Sequence, residues 1–329
     1  MKVLVTGSAG FIGSYVSRAL IARGDNVIGF DNFQEYYSKE AKEWNNKLTN
    51  DSIGTSHGTY SFIEGDIRDR DTIFDIFAKH KPKMVIHLAA MAGVPASLKN
   101  PKLYVEVNID GTTNLLDAAV AGSARGFIFA SSSSVYGNRT DIPFKEIGNV
   151  DYPISPYAAT KRMGEILLWT YNHLHRIPVT GLRFFGVYGP LQRPYGMVVQ
   201  RFIKQLDHDE PFTIYGDGSM VRDYTYIDDI VDGVLLAVDK NYNFEIFNLG
   251  NSYPVTVLDV AKDVEEAMGK KAEIKFVDQP VTEVEITFAD LTKSKEMLGY
   301  NPKWNIKKGI AEQVRIYQQM PQWYKDLPW

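Results

Sequence analysis

The residues best suited to chemistry are Tyr157 and Lys161, in Ser155-Pro156-Tyr157-Ala158-Ala159-Thr160-Lys161. A spacing of four puts both on one face of a helix, and Ser155 and Pro156 suit its cap and first turn. A free phenol titrates near pH ~10. An ammonium beside it favours the phenolate, which can take a proton from an alcohol while hydride leaves the same carbon. Ahead of the pair runs Ser131-Ser132-Ser133-Ser134, followed by Val135-Tyr136-Gly137. A hydroxyl at such a strand end can bond the same substrate oxygen. Either piece alone is commonplace. The signal lies in their order, behind a fold that binds a dinucleotide.

That fold opens at the first residues. A short apolar run leads into Gly7-Ser8-Ala9-Gly10-Phe11-Ile12-Gly13. Gly7 permits a tight turn, Gly10 lets the backbone approach a pyrophosphate, and Gly13 lets the helix pack against the strand. The helix N-terminus, from Phe11 and Ile12, offers free N–H groups to phosphate. Asp31, with Asn32 after it, stands where an acidic residue bonds the adenosine ribose. A carboxylate there repels a 2′-phosphate, so NAD is expected rather than NADP. Asp66 and Ile67 follow the third strand and are expected at the adenine. Leu88, Ala89 and Ala90 end the fourth, where small residues leave room for the cofactor. His87 reads as a satisfied core residue.

The elements that hold these residues alternate. Strands are expected at Lys2–Thr6, Asn26–Phe30, Tyr60–Glu64, Met84–Leu88, Phe127–Ala130 and Val179–Phe184. Helices are expected at Phe11–Ala22, Asp71–Lys79, Tyr104–Ala121 and Pro156–Leu174. This alternation predicts an α/β protein with a Rossmann-type, doubly wound parallel sheet. Gly and Pro accumulate over Gly186–Gly196. Beyond them, short strands (Phe212–Tyr215, Glu245–Leu249, Glu273–Phe276) mix with helices (Asp228–Val238, Val257–Met268, Thr292–Leu298). They predict a smaller C-terminal α/β substrate lobe. The approximate division is 1–180 for the dinucleotide and 181–329 for the substrate, with segments free to interleave.

Composition narrows the partners. The 329 residues are 44% hydrophobic and 23% charged, which fits a folded chain with a large core. A net charge of -4 leaves no electrostatic footprint for nucleic acid. The lack of cysteine excludes disulfides, thiolate nucleophiles and Cys-based zinc sites, and no metal is expected. No apolar stretch is long enough for a membrane span, and MKVLVTG is too short for a signal peptide. A cytoplasmic location is the expectation.

Taken together, these motifs resemble the extended short-chain dehydrogenases/reductases, and within them the nucleotide-sugar epimerase/dehydratase group. The resemblance covers essentially the whole chain. It includes Arg183-Phe184-Phe185-Gly186-Val187-Tyr188-Gly189-Pro190 and Gly216-Asp217-Gly218 with Arg222-Asp223. It implies that Tyr157 is the base, Lys161 the cofactor-ribose ligand that tunes it, and Ser132 its hydrogen-bond partner. Arg222 matches the guanidinium that grips the diphosphate, and Thr213 and Tyr215 fall where relatives pack the nucleotide base. Dehydratases of the group carry an Asp-Glu pair at the strand end and decarboxylases a Glu, where this chain has Ser133-Ser134. Fucose-synthase-type reductases bring an added Cys and His. What remains is 4-epimerisation, through a transient 4-keto sugar.

Within the group the sequence is most similar to UDP-glucuronate 4-epimerases, through the serine run, Tyr157–Lys161, Leu182–Gly189 and Gln192-Arg193-Pro194. Gly186 departs from a usual Thr, Pro95 from a frequent Arg, and Val281–Asp290 lacks the usual Gly-Asp pair, with Glu283 near the Asp position. The expectation is a UDP-sugar substrate, with UDP-glucuronate better than UDP-glucose. Ser132, Ser133, Ser134 and Arg193 would supply donors to the carboxylate, while Gly186 deletes a hydroxyl and opens space. The alternatives are a UDP-glucose/UDP-galactose (or N-acetyl) 4-epimerase and an NAD-sensing protein on the same fold. The resemblance also implies a homodimer through Tyr104–Ala121 and Pro156–Leu174, the latter offering Ile166, Leu167, Leu168 and Trp169.

Overall fold

The computed structural model describes residues 1–36, 38–54, 57–193, 197–278 and 286–327. The N-terminal elements are β1 (Lys2–Thr6), α1 (Phe11–Ala22), β2 (Asn26–Asp31), α2 (Lys39–Asp51), β3 (Thr59–Glu64), α3 (Arg70–His80) and β4 (Met84–His87). Next come α4 (Val94–Lys99), α5 (Pro101–Val105), α6 (Gly111–Ala121), β5 (Gly126–Ser132), α7 (Pro156–His175) and β6 (Val179–Phe184). Seven strands pair in the order β11-β6-β5-β4-β1-β2-β3, β11 being the strand Phe244–Leu249 introduced below, and every pairing is parallel. The direction of winding reverses between β1 and β4, and ligands of such sheets bind outside that crevice.

Strand alternation sorts the core into two layers. Val3, Val5, Ile86 and Ile128 face one, and Leu4, Val85, Phe127 and Phe129 face the other. Burial on both sides explains why these strands read as continuous apolar runs. The first layer continues without a break into the C-terminal part through Phe202, Phe212 and Val260.

That part is built from β7 (Val187–Tyr188), α8 (Val198–Asp207), β8 (Phe212–Tyr215), β9 (Val221–Asp223), β10 (Thr225–Tyr226), α9 (Ile227–Lys240), β11 (Phe244–Leu249) and β12 (Pro254–Thr256). It ends with α10 (Val257–Met268), β13 (Ile274–Val277), β14 (Ile286–Thr287), a π-helical turn Ser294–Leu298, α11 (Ile306–Gln319) and α12 (Gln322–Lys325). Its strands form small sheets, β10-β7, β12-β9-β14 and β13-β8. The strand expected at Glu245–Leu249 lies elsewhere. As β11 it pairs with β6 at the edge of the main sheet, Phe244 opposite Val179 and Leu249 opposite Phe184.

The helix expected over Tyr104–Ala121 starts earlier, at Pro101. It is interrupted by a π-helical turn at Glu106–Asp110 that turns Asn108 into the core.

Candidate active site

The glycine turn is shaped for close approach. Gly7 has φ +72°, and a Cβ there would meet the Ala89 backbone N at 2.7 Å. A Cβ on Gly13 would come to 2.0 Å from the Gly7 carbonyl oxygen. On Gly10 it would meet only that same carbonyl, at 3.1 Å. The turn is thus closed against strand and helix and open where a phosphate would come. Phe11 and Ile12 follow, half-buried against the core.

Asp31 is buried at the end of β2. Its carboxylate accepts from Ala9 N at 3.2 Å and Phe33 N at 2.9 Å, so it braces the glycine turn. Burial pushes its carboxyl up, while the nearby Lys42 ammonium and the backbone donors pull it down. Asn32 reaches Asp66, Nδ2 donating to Oδ2 at 2.9 Å, so the loop expected at the ribose meets the one expected at the adenine. Arg68 bonds Asp66 and holds its carboxyl below the usual range. The Ile67 side chain is buried beside Gly111 and belongs to the core. Leu88 and Ala89 follow β4 alongside the turn, with Leu88 N donating to Thr6 O at 3.1 Å and Ala89 N to Thr6 Oγ1 at 3.3 Å. Ala90 is half-buried next to them.

His87 is the core residue it was expected to be. Thr112 Oγ1 donates to Asn108 O at 2.6 Å and so accepts from His87 Nε2 at 2.9 Å. That leaves Nδ1 to accept from Thr6 Oγ1 at 2.8 Å. Burial drives this imidazole down to about 3, so it stays neutral.

Tyr157 and Lys161 occupy the first turns of α7, capped by Ser155 Oγ, which accepts from Ala158 N at 3.2 Å. Tyr157 is half-buried, with its ring edge-on to Tyr104 at 6.3 Å. Burial raises its phenol, while a hydrogen bond from Ser132 and the Arg193 guanidinium favour the phenolate. Ser132 Oγ already accepts from Ser134 N at 3.2 Å and Ser134 Oγ at 3.0 Å. Its one proton is therefore the part left to donate toward Tyr157. Lys161 is buried, donates to Ala130 O at 2.7 Å, and sits 6.0 Å from the Tyr157 ring centre. Burial brings its ammonium down to about 7. Ser133 and Ser134 open a short 3-10 turn and are half-buried. Ser131 points away from them, to Glu165.

Across from Tyr157 lies a group that motif reading found only in part. The Arg193 guanidinium stacks on Tyr36 at 4.6 Å. Both approach Gly93, which has φ +91°; a Cβ there would stand 2.5 Å from Tyr36 Oη and 3.1 Å from an Arg193 nitrogen. Tyr36, Gly93 and Lys42 had no spacing signal. Neither had Asn108, whose amide pairs with Met91 N and O at 2.8 and 3.0 Å and donates to Thr160 Oγ1 at 3.0 Å.

In the C-terminal part, Thr213 and Tyr215 lie on β8. Thr213 O accepts from an Arg201 nitrogen at 3.0 Å, and the same guanidinium stands 5.5 Å from the Tyr215 ring. Arg222 is half-buried on β9, beside the Val221 carbonyl at 3.0 Å. The next residue, Asp223, is buried and accepts from Asn251 N, Ser252 N and Ala289 N at 2.7, 2.9 and 3.0 Å.

The expectation that Gly186 opens space fails. Gly186 has φ +33°, and a Cβ would lie 2.2 Å from the Asp223 carbonyl oxygen. The glycine serves the chain's crossing past β9. Pro95 is exposed in the first turn of α4. Pro194 and Glu283 lie outside the described residues, and among those residues no cluster of metal-binding side chains occurs. No helix among them is long and apolar enough to cross a membrane.

The chain is similar to known proteins over nearly its whole length. Residues 3–250 match the family described as "NAD dependent epimerase/dehydratase family". A UDP-glucuronate 4-epimerase of Thermodesulfobacterium geofontis is 39% identical, with 94% of each chain covered. The structure of a UDP-glucuronic acid 4-epimerase from Bacillus cereus, in complex with UDP-glucuronic acid and NAD, superposes with a TM-score of 0.89. It is 36% identical, covering 97% of this chain and 99% of that one. A UDP-glucose 4-epimerase from Thermotoga maritima with UDP-glucose gives a TM-score of 0.88 at 34% identity, covering 97% and 99%.

Proposed function

The chain belongs to the NAD-dependent epimerase/dehydratase family, and from that premise we propose that it is a UDP-sugar 4-epimerase acting on UDP-glucuronate and UDP-galacturonate. One observation carries the reading. Tyr157, Ser132 and Lys161 converge at the strand end, where Ser133 and Ser134 stand in place of any carboxylate that could drive elimination. The two uronate epimerases described above support it.

The glycine cradle and Asp31 fit NAD. Once bound, the cofactor offers a reversible hydride acceptor. The chain's own residues do the rest. Tyr157 takes the O4 proton as a phenolate, helped by the Ser132 hydroxyl and the Arg193 charge. Lys161 lies deep enough to move between Ala130 O and a ribose hydroxyl. Arg222 holds the diphosphate and Thr213 and Tyr215 the base, so the sugar can turn about a fixed anchor and present its other face. Tyr157 then returns the proton. Ser133, Ser134 and Arg193 supply donors to a C6 carboxylate, which needs them once it leaves water.

In this reading residues 1–180 with β11 serve the dinucleotide, and the rest of 181–329 the nucleotide sugar. The enzyme works in the cytoplasm as a homodimer. Exposed Met163, Ile166 and Trp169 on α7, beside Val105 on α5, support that dimer. Leu168 is fully buried and takes no part in it.

The runner-up substrate is UDP-glucose, favoured by the similarity to the Thermotoga maritima enzyme. The test compares kcat/KM for UDP-glucuronate, UDP-glucose and UDP-N-acetylglucosamine. The uronate is expected to rank first. Equal or better use of a neutral sugar would overturn the uronate assignment in favour of the runner-up.

A further inference from the structure

Tyr157, Lys161 and Glu165 are spaced four apart along one stripe of α7, and the reaction derived above uses only the first two. Glu165 is buried. Its Oε1 accepts from Ser131 Oγ at 2.6 Å and Arg183 Nε at 2.8 Å. Its Oε2 accepts from Arg183 Nη2 at 2.9 Å and Arg162 Nη1 at 3.3 Å. These donors come from β5, β6 and α7 itself, and Ser131 and Arg183 are direct partners in the β5–β6 register. On the far side Arg183 Nη1 donates to Tyr136 Oη at 2.9 Å, and that hydroxyl donates to Asn248 Oδ1 at 2.6 Å. The guanidinium is thus anchored away from the cleft as well.

Three consecutive residues of β5 engage the stripe. Ala130 O takes Lys161 Nζ, Ser131 Oγ holds Glu165, and Ser132 meets Tyr157. Two of the three contacts are made by reacting groups, which must exchange partners during turnover. The third has no such duty. Nor does the Glu165 charge need Ser131, because the Arg183 fork already meets both carboxylate oxygens. The serine hydroxyl adds a short bond directly under the catalytic strand end.

We propose that Ser131 and Glu165 are positioning residues: their bond sets the register of α7 along β5 and so holds Ser132 within reach of the Tyr157 oxygen. This rests on the roles proposed for Tyr157 and Ser132. A shift of the helix by a fraction of a turn would take the Ser132 proton off the phenol, and small misplacements at a reacting centre are costly.

Glu165→Gln would leave a buried guanidinium half-paired and is prone to unfolding. Ser131→Ala leaves the ion pair intact and is the better probe. NAD-loaded parent, Ser131→Ala, Ser131→Thr and Tyr157→Phe are compared with UDP-glucuronate, UDP-glucose and UDP-N-acetylglucosamine as probes. For Ser131→Ala, kcat should fall about tenfold to a hundredfold with KM little changed. The acid limb of its kcat profile should move to higher pH. The phenol loses a donor there, and its other neighbours, Arg193, Tyr36, Tyr104 and Lys161, are untouched. Ser131→Thr should restore both. Parental kcat and pH profile in Ser131→Ala, while Tyr157→Phe is inactive, would overturn the positioning role alone. So would a loss confined to thermal stability. Full activity in Tyr157→Phe, or no epimerisation of any of the three sugars by the parent, would overturn the catalytic reading and this proposal with it.

Discussion

The chemistry of Tyr157 is set by how few charges surround it. Burial raises the phenol, and the compensations are a single hydroxyl, Ser132, and one guanidinium, Arg193. Lys161 is burdened in the same way, with an ammonium near 7 that has no counter-charge beside it. Burial disfavours the charged form of both groups, so the Tyr157 phenolate depends on the Ser132 hydroxyl and the Arg193 guanidinium that favour it. Tyr157→Phe should keep NAD binding and lose roughly 10²–10⁴ in turnover, the usual contribution of a general base. The initial rate from UDP-glucuronate alone, read by separating the two uronates, checks it; near-parental rates would remove Tyr157 from the mechanism.

At the scale of elements, the crossing from β6 to β7 is the most constrained. Gly186 turns there at φ +33°, its carbonyl accepts from Thr225 N at 3.1 Å, and Asp223 ties two segments, Asn251-Ser252 and Ala289, beside it. Gly186→Thr should cost about 1–3 kcal/mol through strain and crowding against the Asp223 carbonyl. A thermal melt equal to the parent's would show that the crossing relaxes. The sequence hid this because a glycine in a Gly- and Pro-rich stretch looks the same whether it makes room for a ligand or for backbone. By contrast β1, α1 and β6 were legible to the residue, since apolar runs and an amphipathic stretch opened by a glycine turn leave little freedom. So were the places of Tyr157 and Lys161 on one helix and of the serine run at a strand end. Helix α2 went unread because the face it buries includes Lys42, Asn45 and Thr49, which give no apolar period. The π-helical turn that brings in Asn108 has no spacing rule. Strands of two or three residues, such as β10 and β14, are too short for alternation to appear.

For the whole molecule, the candidate assembly surface lies on α7. Met163, Ile166 and Trp169 lie at intervals of three on the outer face of α7, each between 43% and 53% exposed, and Val105 lies on the adjoining α5. A second copy covering this stripe would make an isologous contact. Light scattering at micromolar concentration should return twice the chain mass, and Ile166→Glu should halve it with the fold intact. A parent that already runs as a monomer would reject the interface.

The placement of β11 bears on how the protein comes to be made. Phe244–Leu249 is the last strand of the main sheet to be synthesised, and it is the one that covers β6. A nascent chain that has released β6 therefore carries an unpaired, apolar strand edge until everything from β7 to α9 has followed it out. Such edges recruit other chains. The division expected at residue 180 would be a poor place to cut, because it falls inside β6 and strands the sheet without its cover. The second lobe thus acts late as a guard for the first, and the strand it lends closes the sheet one strand away from the serine run that ends β5.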